Sequence, residues 1–228
     1  MTDITVGLND VRARMARAAK KSGRQPGDVT LIAVSKLQPV SAIREAVAAG
    51  QRDFGESYAQ ELDEKARALA DLPIRWHFIG HLQRNKVKLA APHVSMVQSV
   101  DSVRLAQELS AAAQQRNTAI DVLLQVNVGD EAQKSGCSAQ EAPFVAEELS
   151  RLPGLHLKGL MCIPPFDLDE DDTRRHFIAL RALRDRLGGP PLLPHLSMGM
   201  SGDFEMAIEE GATMVRVGTS IFGERRRP

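Results

Sequence analysis

The run Val29-Thr30-Leu31-Ile32-Ala33-Val34-Ser35-Lys36 decides how the rest of the chain is read. It is short, apolar and rich in β-branched residues, the pattern of a buried strand, and it carries no charge until Lys36 closes it. Before it, Val6, Leu8, Val11, Met15 and Ala18 recur at roughly helical spacing and predict a helix over Val6–Ser22. After it, Ser41–Gly50 reads as a helix with Ser41 as N-cap and Gly50 as its stop. Helix, strand and helix therefore follow one another within the first fifty residues.

The same alternation continues to the end of the sequence. Strands are predicted over Arg52–Glu56, Arg75–Ile79, Met96–Val100, Asp121–Val128, His156–Cys162, His195–Met198 and Met214–Val217. Helices are predicted over Tyr58–Leu69, Arg84–Ala91, a segment capped by Asp101 and running to Gln115, Ala139–Leu152, Asp172–Leu187 and Phe204–Glu210. Eight strands alternating with helices predict a parallel sheet, and the lack of a Gly-rich dinucleotide fingerprint favours a closed barrel over an open sheet. The expected fold is a single (β/α)8 TIM-type barrel with an extra N-terminal helix, one domain over residues 1–228. After Val217 too few residues remain for a full eighth crossover helix, and the N-terminal helix is placed to cover the gap.

The length of 228 residues suits one barrel, which typically needs roughly 250. Lys and Arg together number 29, as do Asp and Glu, so no net field favours nucleic acid or an anionic membrane. Arg225-Arg226-Arg227 reads as a solvated tail, and the acidic run Asp167–Asp172 as a loop and helix start suited to the macrodipole rather than a metal site. No signal peptide or bilayer-length apolar run is read. Cys137 and Cys162 have no metal-ligand spacing; a reduced cytoplasmic compartment is expected rather than a disulfide between them.

In a barrel the reactive groups gather at the C-terminal strand ends. Lys36, Gly80, Asn127, Ser201 and Gly218-Thr219 all fall there. Alternation puts Ile32, Val34 and Lys36 on one face of their strand, and Met214, Arg216 and Gly218 on one face of the last. Arg216 is then inside the barrel mouth and needs an acceptor. Lys36 alone would be an ordinary strand-end lysine reaching for solvent, and Ser201 or Thr219 alone a turn or cap residue. Together they fit a phosphate cradle in the loops after the last two strands, with glycines that let backbone N–H groups approach an anion. An amine beside such a cradle points to a phosphorylated aldehyde held as a Schiff base. His77 alternates with Trp76 and Phe78 and so faces the barrel interior, either as a hydrogen-bonded core residue or as part of the site. His81 is expected at the surface. Met161 is expected to form a packing layer beneath the site. Gln83, Asn85 and Lys86 are expected to cap the following helix.

Six segments carry a resemblance: Leu31–Lys36, Phe54-Gly55-Glu56-Ser57-Tyr58, Trp76-His77-Phe78-Ile79-Gly80-His81-Leu82-Gln83-Arg84-Asn85-Lys86, Gly159–Pro164, Leu196–Asp203 and Val215–Gly223. In this order they resemble the pyridoxal phosphate homeostasis proteins, also called the proline synthetase co-transcribed family. The resemblance implies a barrel like the N-terminal domain of alanine racemase, with pyridoxal 5′-phosphate on Lys36. It also implies phosphate contacts from Ser201, Gly218 and Thr219, and Arg216 facing the pyridine nitrogen. Where the family often has Phe-Gly-Glu-Asn-Tyr, this chain has Ser57, so a hydroxyl replaces a side-chain amide near the cofactor.

An arginine opposite the ring nitrogen disfavours its protonation and weakens the ring as an electron sink. Racemisation also needs a second acid or base on the other face of the substrate, which alanine racemases take from a second domain not seen here. The expected function is therefore a pyridoxal phosphate carrier in cofactor homeostasis and supply. It would have no catalytic residues, at most weak racemase- or transaminase-like activity, apo-enzymes as recipients, and a monomeric state. A racemase of the same fold and a cofactor-free Schiff-base aldolase, with Glu56 as its candidate acid or base, are the alternatives.

Overall fold

The computed structural model describes residues 3–129, 135–165 and 168–223. Helix α1 (Ile4–Lys21) is followed by β1 (Thr30–Val34), α2 (Val40–Ala48), β2 (Asp53–Glu56), α3 (Ala59–Ala68), β3 (Arg75–Phe78), α4 (Val87–Ala90), β4 (Val94–Val100) and α5 (Val103–Gln115). The second half holds β5 (Ile120–Asn127), β6 (Cys137–Ser138), α6 (Ala142–Arg151), β7 (Leu155–Met161), α7 (Glu170–Arg186), α8 (Gly189–Leu192), β8 (His195–Ser197), α9 (Phe204–Glu209), β9 (Met214–Val217) and α10 (Thr219–Phe222). All strand pairings are parallel. Neighbours run β4-β3-β2-β1-β9-β8-β7-β5, and β4 pairs again with β5, which closes eight strands into the expected barrel.

Side chains divide by strand alternation. Ile32, Met96, Leu123, Met161 and Met214 form a small apolar cluster inside the barrel. Leu31, Ala33, Phe54, Trp76, Phe78, Val215 and Val217 belong to the larger cluster between strands and helices. Gly159 marks one tight crossing: a Cβ there would lie 1.9 Å from the carbonyl oxygen of His195 on the neighbouring strand.

Helix α1 does cover the gap left by the short C-terminal segment. Leu8, Val11, Met15 and Ala18 are buried, each leucine- or valine-sized side chain worth about 1.5–3 kcal/mol. Val6, grouped with them by spacing, is 63% exposed. Gly7 lets α1 press on α10, where an added Cβ would meet the carbonyl oxygens of Ser220 and Ile221 at 2.8 and 2.9 Å. Arg14 pairs with Glu205 of α9 at 2.6 Å, and Arg24 donates to the carbonyls of Ile208 and Ala212.

Several element ends differ from expectation for local reasons. Pro39, with extended backbone, holds the N-cap position of α2, so Ser41 lies inside the helix; Gly50 follows its end at φ +86° as expected. Ser102, not Asp101, caps α5 by accepting from Leu105 N–H. Arg84–Lys86 forms a 3₁₀ turn before α4, and Gln83 stands at its N-cap without a side-chain capping bond. Strand β6, hydrogen-bonded to the end of β5, and the proline-containing α8 are additional elements. Asp169 caps α7 with Glu170, Asp171 and Asp172 in its first turn. Asp167 and the Arg225–Arg227 run lie outside the described residues. Both cysteines are free and buried. No helix among the described residues is long and apolar enough to cross a membrane.

Candidate functional site

Lys36 leaves the C-terminal end of β1, two residues beyond Val34. Because β1 and β9 pair with Ala33 opposite Val217, the next residues, Val34 and Gly218, meet at the barrel rim. A Cβ on Gly218 would lie 3.2 Å from the carbonyl oxygen of Val34 and 3.3 Å from its Cβ, so only glycine sits there without displacing β1. The Gly218 N–H donates to Ser201 Oγ at 3.3 Å, and Arg216 N–H donates to the Gly199 carbonyl at 3.0 Å. The loops after β8 and β9 are thereby tied together. A Cβ on Gly202 would have no atom within 4 Å, so this loop opens outward. Thr219 is exposed and begins α10, whose first N–H groups have no carbonyl within the helix to bond.

Asp203 shapes the Ser201 loop by accepting from Met200 N–H at 2.5 Å. Burial pushes its carboxyl up, while that N–H and Arg216 pull it back.

On the other side of Lys36 lies a cavity of about 450 Å³, lined among others by Lys36, Ser57, Tyr58, Gly80, His81 and Ile163. Gly80 is required beside Ser57, since a Cβ there would come within 2.4 Å of the Ser57 carbonyl oxygen. Ile163 also packs on the interior cluster that contains Met161, so the cavity floor continues into the barrel core. His81 is exposed at the rim, 3.5 Å from Asp101. Gln83 and Lys86 line the same cavity.

Arg216 is 4% exposed and finds its acceptors in neutral groups. Its Nη1 donates to Ser197 Oγ at 2.6 Å and its Nη2 to the Cys162 carbonyl at 2.8 Å. Burial lowers its pKa, and the fields of Cys162 and Asp203 oppose that shift. Burial pushes the neighbouring Cys162 thiol up to about 12, so it is protonated at neutral pH.

The guanidinium sets the direction of a longer chain of hydrogen bonds. It only donates, so Ser197 must turn its own proton to Gln98 Oε1, 2.6 Å away. Gln98 then presents its NH₂ to His77 Nδ1 at 3.1 Å, and His77 Nε2–H donates to Asp53 Oδ1 at 3.1 Å. Arg75 closes the chain with two bonds to Asp53 of 2.7 and 2.6 Å. Burial alone would raise Asp53, but the bonds from His77 and Arg75 outweigh it and hold the carboxyl at about 2. His77 thus faces inward as its alternation implied. Both its ring nitrogens are engaged by protein groups, which makes it a support of Arg216 three links away. Ser197 and Gln98 were missed in the sequence. Their only signal was polarity within otherwise apolar strands.

The structure therefore brings Lys36, Ser57, Ser201, Gly218 and Thr219 to one barrel rim, with Arg216 and Met161 beneath them and His77 deeper. Such a rim offers an amine for covalent attachment, donors for a small anion and a buried cation between them.

Barrel closure and the placement of this rim define an alanine-racemase-type barrel. Residues 6–226 match the alanine racemase, N-terminal domain family. An alanine racemase from Clostridium difficile superposes with a TM-score of 0.77 at 14% identity, covering all of this chain and 58% of that one, a likeness of fold. The chain is 48% identical over 225 residues to the pyridoxal phosphate homeostasis protein of Pseudomonas aeruginosa, covering 99% of this chain and 97% of that protein. It also matches PipY of Synechococcus elongatus, solved with pyridoxal phosphate bound, at 40% identity and a TM-score of 0.81, covering 92% of this chain and all of that one. This chain belongs to the pyridoxal phosphate homeostasis protein family.

Proposed function

We propose that this barrel, acting as a single domain and a monomer in the cytoplasm, holds pyridoxal 5′-phosphate covalently on Lys36 and supplies it to apo-enzymes, without robust catalysis of its own. The observation that carries the reading is the meeting of Val34 and Gly218 at the rim, which sets the Lys36 strand end against the Ser201 and Gly218 loops. The names of the relatives and the cofactor bound in PipY support the same ligand.

The residues fit the group by their chemistry. When bound, pyridoxal phosphate supplies an aldehyde carbon for an amine and a ring that can take up electrons. Lys36 Nζ would be the amine that holds the cofactor through that carbon. Ser201 Oγ–H, the Thr219 N–H and the Thr219 hydroxyl would donate to the phosphate, joined by the Gly218 N–H once it leaves Ser201 Oγ. Ser57 and the Gly80 loop border the cavity beside Lys36, and Met161 forms part of the apolar floor. Arg216, a donor fixed by Ser197 and the Cys162 carbonyl, would serve the ring nitrogen and would disfavour its protonation. An unprotonated ring withdraws electrons weakly, which favours holding the cofactor over racemisation or transamination.

Borohydride reduction of the loaded protein, intact mass and peptide mapping test the attachment. One cofactor adduct on Lys36 is expected, and an adduct on Lys86 instead would overturn the site. Multiple-turnover alanine or serine racemisation at ordinary enzyme rates, of order 1 to 10³ per second, would refute the carrier reading.

A further inference from the structure

Lys65 sits in the middle of α3, four residues after Glu61, the spacing of an ordinary solvent-exposed helix pair. In the fold its side chain is only 7% exposed. Its ammonium donates to the Ser35 carbonyl at 2.6 Å, to Glu56 Oε1 at 2.8 Å and to Glu61 Oε1 at 2.6 Å. The same two carboxylate oxygens reach the chain on either side of Lys36. Glu56 Oε1 accepts from Ser35 Oγ at 2.6 Å, and Glu61 Oε1 accepts from Leu37 N–H at 2.6 Å.

Both neighbours of Lys36 are therefore fastened to one buried charge cluster. The fastening holds an unfavourable backbone: Leu37 has φ +62°, a left-handed conformation that a side chain with a Cβ resists. It also fixes Ser35, whose hydroxyl donates to Glu56 beside Lys65 of α3. The cluster is a poor device for stability. Lys65 and Glu56 are taken out of water and Glu61 largely so, and Glu56 Oε2 and Glu61 Oε2 are buried without a hydrogen-bond partner among the described residues.

We propose that Lys65, with Glu56 and Glu61, is a positioning device that fixes the strand end at Lys36 so that its amine meets the aldehyde of a bound cofactor. The proposal rests on the reading of Lys36 as the covalent anchor. Lys65 touches neither cofactor nor reacting atoms and acts through the Ser35–Leu37 backbone alone. A misplaced reacting amine loses about 10- to 100-fold in effective reactivity when displaced by an ångström.

Two ligands separate positioning from general damage. Pyridoxal phosphate binds through phosphate, ring and covalent link, whereas pyridoxine 5′-phosphate has no aldehyde and reports the first two alone. Affinities for both are measured by calorimetry on wild type, Lys65→Met, Glu61→Gln and Lys36→Ala, with circular dichroism as the check on folding. Lys65→Met is expected to weaken pyridoxal phosphate about tenfold or more and Glu61→Gln by less, with pyridoxine phosphate unchanged in both. Unchanged pyridoxal phosphate affinity, or a parallel fall for both ligands, overturns the proposal. Should Lys65→Met fail to fold, an unaltered ratio in Glu61→Gln overturns it equally. If Lys36→Ala keeps the wild-type ratio, the anchor itself is wrong and the positioning role falls with it.

Discussion

Replacing Ser197 by Ala removes one oxygen from the centre of the barrel. Arg216 Nη1 then loses its 2.6 Å acceptor, and Gln98 Oε1 loses the hydroxyl that donated to it at 2.6 Å. Ser197 and Gln98 are fully buried and Arg216 nearly so, so solvent does not replace the lost partners. A hydrogen bond to a charged group contributes about 1.5–3 kcal/mol and a stranded buried acceptor costs about 1–3. Allowing for relaxation, the change should destabilise the fold by about 3 kcal/mol. For a chain of this size that corresponds to a fall in melting temperature of roughly 6–12 °C. Urea titration with a fixed m-value gives the difference directly. Ser110→Ala serves as the internal comparison, because its hydroxyl donates to the neutral Pro153 carbonyl at 2.6 Å and should contribute only about 1 kcal/mol. If the two substitutions cost the same, Arg216 does not depend on Ser197, and the directional chain through Gln98 to His77 is wrong.

Three further expectations can be checked with little effort. Pyridoxal should bind far more weakly than pyridoxal phosphate, because the Ser201 and Gly218-Thr219 loops lose their charged acceptor; equal affinities would mean these loops serve another purpose. Asp53, held at about 2 against an ordinary 3.8, contributes stability that is complete above the ordinary value and disappears as pH falls through the folded one. Urea midpoints should therefore drop between about pH 4 and pH 2, and Asp53→Asn, weaker at neutral pH, should lack that part of the slope; identical slopes would exclude this source. Gly7→Ala should destabilise by about 1–3 kcal/mol, although the same exchange inside an exposed helix stabilises by about 1, because the new methyl group meets α10 backbone at 2.8 Å. A raised melting temperature would show that α1 and α10 are not in contact at this point.

The barrel was legible because buried strands and amphipathic helices leave different periods in the chain, and Lys36, Ser201 and Gly218 stood where those periods broke. Boundaries slipped where a cap competed with its neighbour, as with Pro39 for Ser41 and Ser102 for Asp101. Cys137–Ser138 and Gly189–Leu192 are both too short to carry a period. The polar chain under Arg216 was not legible, since Ser197, Gln98 and His77 lie on three different strands that only barrel closure brings together. Lys65 was hidden for the opposite reason. Its local spacing to Glu61 describes a surface helix, and only the packing of α3 on β1 and β2 takes it out of water.

The pairing of β1 with β9 has a consequence for how the molecule is made. During synthesis at about 5–20 residues per second, roughly 10–35 seconds separate the appearance of Lys36 from that of Gly218. Until then β1 lacks one neighbour, and Gly7 of α1 lacks the α10 backbone it is shaped to meet. Contacts that join the two ends of a chain also make folding slow, because a long loop must close before they repay its entropy. Until Gly218 is made, a nascent chain of this protein therefore has the strand end at Lys36 without the loop it meets in the finished barrel.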